Sequence, residues 1–298
     1  MRKHMMPKAQ QIEQPTGLQW EIKPQALERW TPDLMAAATA TTDNTISVLD
    51  TIGVDPWTGE GVTAKRIAGA LRAIGADKDV IVNINSPGGD LFEGMAIYNL
   101  LRDHKGGVTV KILGLAASAA SIIAMAGDSI LIARAGFLMV HNTWVVAMGN
   151  RLDLRAIADT LQPFDSVMAD IYAARSGLEA KATQKMMDNE TWIGGSDAVA
   201  QGFADELLPA DQVAKDANAK ADRIAAHLID VAMAKAGLSR SDRHGLINDF
   251  RSATQKAGAV GTQIAANNST QIAADAVEVE ETLSVLRNFS NSIIKETP

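Results

Sequence analysis

Between positions 46 and 141, the apolar residues alternate between the pattern of buried β-strands and the spacing of α-helices. Short runs rich in β-branched residues, typical of buried strands, occur at five places. The first run begins at Ile46, and the other four are Val80–Asn85, Val108–Leu113, Ile130–Ala133 and Leu138–His141. The stretches between the first three runs carry apolar residues at helical spacing. This alternation predicts an α/β fold in which ligands bind at the carboxyl ends of the strands.

Polar residues mark where the predicted helices begin. Thr63 stands at the start of a helix whose apolar face extends from Ile67 to Ile74. Asp90, followed three residues later by Glu93, predicts a capping box at the next helix. After the last strand comes a long amphipathic helix with one apolar face. That face is formed by Ile157, Leu161, Phe164, Met168 and Ile171.

Composition divides the chain into three parts. Residues 1–40 are polar, contain several prolines and show no sustained period, which predicts a mobile N-terminal arm, with a processed propeptide as the alternative. Their basic residues are not followed by an apolar segment, so a secretory signal is not expected. Residues 41–208 form the predicted compact domain. Residues 209–298, rich in Ala and Asn, predict a largely helical and partly flexible extension.

The extension is predicted to contain two or three amphipathic helices. The first passes through Ile224 and Val231, and the second begins near Ser239. The third would span residues 279–293. A low-complexity stretch, residues 257–274, separates the last two.

The stretch Val108–Gly127 combines apolar and small residues. A transmembrane span is one interpretation, but Lys111 lies inside it, Gly114 breaks it and its first half has the pattern of a strand. We therefore predict a buried strand that turns into a helix, with Ser118 at the turn. Ser118 is then either a nucleophile beside the unpaired N–H groups of a helix start, or only a small residue in a tight corner.

Composition and motifs argue against several kinds of function. The net charge of −7, without a basic stripe, argues against nucleic-acid binding. The absence of cysteine excludes disulfides, thiolate nucleophiles and cysteine-type zinc sites. The chain has no Walker A motif and no His-Glu-x-x-His motif, and we expect neither cofactor nor metal. The lack of a Gly-x-Ser-x-Gly elbow argues against the α/β-hydrolase fold.

Hydrolysis of an amide needs a nucleophile, a base, a group that orients the base, and donors for the oxyanion. Of the five histidines, only His141 ends an apolar strand inside the predicted compact domain. A histidine at such a position is commonly a hydrogen-bonded structural residue. The serine turn upstream of it favours the catalytic alternative.

Four spaced motifs follow one another in the compact domain. They are INSPGGDLFEGMAIY (84–98), GLAASAAS (114–121), MVH (139–141) and DAVAQGFADE (197–206). Together they resemble the ClpP-like serine peptidases, and more closely their phage and prophage branch, the head-maturation proteases. The resemblance covers about residues 44–208 and implies a ClpP/crotonase-like fold of repeated β-β-α units. A crotonase-type acyl-CoA enzyme has the related fold but needs neither the serine nor the histidine.

The resemblance implies roles for four residues. Ser118 matches the nucleophile of the family, and His141, 23 residues later, matches the general base. The backbone N–H groups of Gly89 and Ala119 match the oxyanion hole. A glycine turn that faces a helix start agrees with this assignment.

The acid of the triad is less clearly marked. The family has an aspartate about a dozen residues before the glycine that corresponds to Gly202, and Glu190 stands at that distance. Asp188 is the alternative. A glutamate orients a histidine as an aspartate does, with one more methylene to accommodate. The pair Asn142-Thr143 departs from the Gln-Pro that commonly follows the histidine, which affects the expected contacts to a substrate strand.

The resemblance also implies a function and partners. It implies a serine endopeptidase that forms homo-oligomeric rings around an enclosed chamber, with the helix around 157–171 as the contact between rings. The expected substrate is phage capsid or scaffold protein, in the bacterial cytoplasm or the procapsid, and a Clp-type ATPase partner is left open. Neither nucleic acid nor membrane is expected as a partner. The alternative, kept open by Glu190, is a weak or inactive ring that serves as an assembly platform.

Overall fold

A computed structural model describes most of the first 250 residues of the chain. The described residues are 6–8, 19–36, 42–54, 61–215, 221–239, 242–243, 245–249 and 252. The predicted low-complexity stretch and the third helix of the extension lie outside them. The chain forms two compact units, residues 1–231 and residues 232–298.

The described ranges contain thirteen strands, eight α-helices and a 3-10 helix at Ala210–Gln212, and residues 242–243 and 245–249 are also helical. The strands are β1 Gln19–Trp20, β2 Leu34–Ala36, β3 Thr45–Val48, β4 Gly53–Val54, β5 Gly61–Val62, β6 Val80–Ser86, β7 Val108–Ala117, β8 Ser129–Ala133, β9 Phe137–Val140, β10 Val145–Val146, β11 Thr191–Gly194, β12 Glu206–Leu208 and β13 Val213–Lys215. The helices are α1 Pro24–Arg29, α2 Ala64–Ile74, α3 Leu91–Asp103, α4 Ala119–Ala124, α5 Arg151–Ser176, α6 Ala180–Asp188, α7 Gly195–Ala200 and α8 Ala221–Lys235.

The main sheet contains seven strands. Five of them follow the order β11-β9-β7-β6-β3, while β8 pairs with β7 and β12 pairs with β8. All of these pairs are parallel except β11 with β9. Parallel pairs need crossover connections, and α2 and α3 supply two of them. The predicted α/β fold is confirmed, and most of its main sheet is parallel.

Strand β7 is longer than the sequence predicts. A break was expected at Gly114, but the strand continues through it to Ala117 and changes partners there. Residues 109–112 pair with β8, whereas residues 115–117 pair with β9. The Asn85 side chain accepts a hydrogen bond from the Leu115 N–H at 3.2 Å, which supports the strand where one partner gives way to the other. The continuation carries Ser118 to the end of β9.

The predicted capping residues are mostly present. Thr63 accepts a hydrogen bond from the Arg66 N–H, and Asp90 accepts two from the first turn of α3. The predicted capping box at Asp90 is wrong in its second half, because the Glu93 carboxylate instead accepts a hydrogen bond from the Ala64 N–H at 2.5 Å. Glu93 therefore ties α3 to the start of α2.

Helix α5 has two different halves. It begins at a capping box formed by Asn150 and Asp153, and residues 151–163 are mostly exposed. From Phe164 onward its apolar face is buried, with Ile171 only 1% exposed. The first half therefore projects away from the core. No helix in the described ranges is both long and apolar enough to cross a membrane.

The N-terminal part of the chain differs from the mobile arm that the sequence predicts. Within residues 19–36, β1 pairs antiparallel with β10 and β2 pairs antiparallel with β13. Helix α1 starts at Pro24 and buries Leu27 and, just beyond its end, Trp30. Proline at the first turn of a helix is favourable, but six residues are too few for a visible period.

The C-terminal boundary of the first compact unit also differs from the prediction. That unit extends to Val231, past the predicted boundary at residue 208, since β13 pairs with β2. The predicted helix through Ile224 is present as α8. At the predicted start of the next helix, Ser239 accepts a hydrogen bond from the Asp242 N–H at 3.2 Å.

Candidate active site

The backbone at Ser118 is strained. Its φ of 53° and ψ of −125° lie in a region that costs a residue with a β-carbon about 1–3 kcal/mol. The neighbouring chain holds it there, because the Ser118 N–H donates to the Met139 carbonyl at 2.9 Å and the Ser118 carbonyl accepts from Ser121 Oγ at 2.6 Å. The Ser118 side chain does not cap α4. The turn therefore presents the hydroxyl group instead of using it locally.

Glu190 is strained in a similar way. Within the described ranges, Ser118 and Glu190 are the two residues other than glycine with positive φ, and Glu190 has a φ of 47°. Such strain concentrates at functional sites, where the surrounding structure imposes it.

Strand register brings Ser118, His141 and Glu190 to one edge of the sheet. Ser118 follows β7 and His141 follows β9, and these parallel strands pair through Ala117 and Met139. Glu190 precedes β11, which is antiparallel to β9 and pairs Thr191 with Val140. Extending that register by one residue sets Glu190 opposite His141.

The Gly88-Gly89 turn lies directly against the Ser118 turn. Gly88 has a φ of 94°, and a β-carbon on it would lie 2.7 Å from Ser118 Cβ. A β-carbon on Gly89 would lie 2.1 Å from the Ile52 carbonyl oxygen. The Ile52 N–H donates to the Gly88 carbonyl at 2.8 Å, and the Ile52 carbonyl accepts from the Asp90 N–H at 3.0 Å. The glycines thus allow this turn to fit between Ile52 and the start of α4, which begins at Ala119.

His141 is buried and lies between two opposite charges. Its side chain is 7% exposed, and neither ring nitrogen has a hydrogen-bond partner among the described residues. The pKa of His141 is lowered from 6.5 to about 4, mainly by burial and then by the positive charge of Lys23, while the negative charge of Glu190 and the nearby backbone of Asn142 act in the opposite direction. The imidazole is therefore neutral at pH 7 and able to accept a proton.

The two carboxylates considered for the acid have different partners. Glu190 Oε2 lies 3.1 Å from Lys23 Nζ, and its charge acts on His141. Asp188 Oδ1 accepts hydrogen bonds from Asn142 Nδ2 at 2.8 Å and from Gln184 Nε2 at 3.3 Å. The negative charge of Glu190 therefore acts on His141, whereas Asp188 is hydrogen-bonded to Asn142, the residue that follows the histidine.

The segment after His141 is anchored to α5 as well as to α6. The Thr143 N–H donates to Asp165 Oδ1 at 2.6 Å, and burial raises the pKa of that carboxyl. A proline at position 143 has no N–H to donate, so the Asn142-Thr143 pair gains a contact that Gln-Pro lacks.

Two residues near the site were missed by sequence reasoning. Lys23 lies in the segment predicted as an arm, where only Pro24 and the apolar residues of α1 indicate order. Asp165 lies on α5 and carries no motif. In the part of the chain that the structure describes, no three His, Asp or Glu side chains are grouped as a metal site.

A comparison with models of protein families identifies one family. The model of the Clp protease family matches residues 60–211. Over 153 residues the chain is 29% identical to the ATP-dependent Clp protease proteolytic subunit 2 of Thermobifida fusca, which covers 49% of this chain and 74% of that protein. Over 160 residues it is 27% identical to the ATP-dependent Clp protease proteolytic subunit of Bacteroides fragilis, which covers 52% of this chain and 75% of that protein. A solved structure of a ClpP1 mutant from Listeria monocytogenes has a TM-score of 0.48 and 19% identity, over 56% of this chain and 91% of that chain.

Proposed function

Because the chain belongs to the Clp protease family, a family of serine-type peptidases, we propose that it is a serine endopeptidase in which Ser118 is the nucleophile. His141 is the general base and Glu190 the carboxylate that orients it. The N–H groups of Gly89 and Ala119 bind the oxyanion. The observation that carries this proposal is the strand register that gathers Ser118, His141 and Glu190 at one sheet edge.

The proposed reaction has two steps. Ser118 Oγ attacks the carbonyl carbon of the scissile amide, and His141 takes the hydroxyl proton and passes it to the leaving amine. This leaves an acyl-enzyme on Ser118 and releases the first product. A water molecule then attacks the ester, with His141 again as base, and regenerates the serine. The N–H groups of Gly89 and Ala119 stabilise the negative oxygen in both steps.

Covalent labelling tests the nucleophile. A fluorophosphonate is expected to label the wild-type protein at Ser118, because the probe needs a serine activated by a base. Peptide mapping by mass spectrometry gives the position. The Ser118→Ala variant is the control and is expected to stay unlabelled. Folded protein that stays unlabelled, both as the wild type and as the Lys23 variant described below, would contradict the proposal and favour the platform function considered next.

A second function, a ring that serves as an assembly platform, is favoured by one observation. The ring nitrogens of His141 have no partner among the described residues, and the Glu190 carboxylate lies against Lys23 instead. In this arrangement the histidine and the carboxylate of the triad are not hydrogen-bonded to each other. In this function the fold and the exposed half of α5 would serve assembly, and the protein would catalyse no reaction.

Oligomeric rings form part of the proposal. The first half of α5 projects from the core and exposes Leu152 and Leu154, 63% and 46% respectively. Exposed apolar residues on a projecting helix are suited to contact a second copy. We propose that this half of α5 joins two rings, so that the sites face an enclosed chamber. Whether a Clp-type ATPase delivers substrate to the chamber stays an open question.

The proposed substrate is phage capsid or scaffold protein, cleaved during head maturation. Support comes from the motifs that resemble the prophage branch, and we propose that the extension 209–298 docks on the assembling protein. The reaction would take place in the bacterial cytoplasm or the procapsid. Co-expression with the capsid and scaffold proteins of the same prophage is expected to shorten one of them only when Ser118 is present, as measured by intact mass against Ser118→Ala. Equal masses in both would contradict this substrate.

A further inference from the structure

The N-terminal segment 19–30 is fastened to the core on both sides of Lys23. Before Lys23, β1 pairs with β10, the strand that follows His141. After Lys23, α1 is buried at Leu27, and Trp30 Nε1 donates to the Asn85 carbonyl at 2.9 Å. The position of Lys23 is thus determined by the packing of its neighbours.

Lys23 makes two contacts next to the proposed triad. Its Nζ lies 3.1 Å from Glu190 Oε2 and 5.3 Å from the centre of the Trp144 ring. The side chains of Lys23 and Glu190 are 23% and 26% exposed, so the ion pair is screened less than one on the open surface. His141, next to this pair, has no hydrogen-bond partner among the described residues. The carboxylate is therefore bound to the ammonium group and not to the imidazole.

We infer that Lys23 is a positioning residue that holds Glu190 away from His141, so that segment 19–30 keeps the triad disconnected until it moves. The inference rests on the proposed roles of His141 and Glu190. Two effects act together. The ion pair withholds the acid from the base, and the ammonium charge disfavours the imidazolium that forms when His141 takes the Ser118 proton.

Charges on the other packed elements do not take over this role. The elements around His141 also carry Glu21 and Arg29 on the N-terminal segment, Asp165 on α5 and Asp188 at the end of α6. Asp165 and Asp188 bind Thr143 and Asn142, and Arg29 stacks on the Trp192 ring at 4.1 Å. Glu21 belongs to the same segment and is buried. Among the described residues, Lys23 is the cation that forms an ion pair with Glu190.

The test is the rate of fluorophosphonate labelling of full-length protein as a function of pH. Lys23→Met is expected to label about tenfold faster at neutral pH, since it frees the acid. The acidic limb of its pH profile is expected to move up by about one unit, since the imidazolium is no longer opposed by the ammonium charge. Lys23→Arg keeps the charge and is expected to behave as the wild type. Lys8→Met makes the same change at the exposed Lys8–Asp103 pair and serves as the matched control.

The outcomes separate this inference from the proposed function. Labelling of the wild type together with an unchanged rate and pH profile in Lys23→Met would overturn the inference alone. The absence of label in the wild type and in every variant would overturn the proposed function. In a Glu190→Gln background, Lys23→Met is expected to keep only the part of its gain that comes from removing the ammonium charge. An undiminished gain there would also overturn the inference, because Lys23 would then not act through Glu190.

Discussion

Replacing Ser118 with glycine is expected to stop peptide hydrolysis and at the same time to stabilise the fold. Without Oγ no acyl-enzyme forms, and the hydrolysis rate should fall by about 10⁶-fold, as for other serine peptidases that lose the nucleophile. The stabilisation, about 1 kcal/mol, should arise because glycine adopts a φ of 53° and a ψ of −125° without steric cost. Peptide turnover and urea unfolding measure the two effects.

Ser118→Ala is the matched control for this prediction. It removes Oγ but keeps the β-carbon, so it should lose the same activity without gaining stability. A glycine variant less stable than the alanine variant would show that the Ser118 backbone is not strained. Turnover near that of the wild type in either variant would exclude Ser118 as the nucleophile.

Replacing Glu190 with glutamine is expected to lower kcat/KM for a peptide by about 10⁴-fold, the loss seen when a triad acid becomes an amide. A neutral amide cannot stabilise the imidazolium, and its NH₂ group favours the wrong tautomer of the histidine. The variant should fold normally, because Glu190 is partly exposed and forms its ion pair with Lys23.

Asp188→Asn is the matched substitution at the alternative acid. Its amide oxygen can still accept the hydrogen bonds that Asp188 Oδ1 receives from Asn142 and Gln184, so kcat/KM should change little. Measured side by side, the two variants decide which carboxylate serves His141. The reverse order of effects would assign the acid to Asp188.

Local pattern predicted most of the sheet and the positions of the strand ends. The turn at Ser118 could be predicted because a β-branched run gives way to small residues there, and the position of His141 because it ends another such run. The change of partner at Gly114 could not be predicted. A glycine is compatible both with a break and with a strand that continues beside a new neighbour, and the choice depends on Asn85, which is distant in sequence.

The N-terminal segment was missed because its stability is not local. Helix α1 has six residues, too few to form in isolation, and it is ordered by long-range contacts such as that of Trp30 with Asn85. The Lys23–Glu190 pair joins residues far apart in the chain, which no spacing rule detects. The roles of Ser118, His141, Glu190, Gly89 and Ala119 stay predictions that the labelling and kinetic experiments test.

The pairing of β1 with β10 has a consequence for how substrates compete. An exposed strand edge is where an extended peptide adds itself, and here a segment of the same chain already occupies the edge of the strand after His141. A tethered segment acts as a ligand at an effective concentration on the order of millimolar. The apparent affinity for a substrate that binds at this edge is the intrinsic affinity multiplied by the fraction of time that the edge is free. If the proposed peptidase function holds, we expect long unfolded chains, which bind through several contacts at once, to displace the segment more readily than short peptides do.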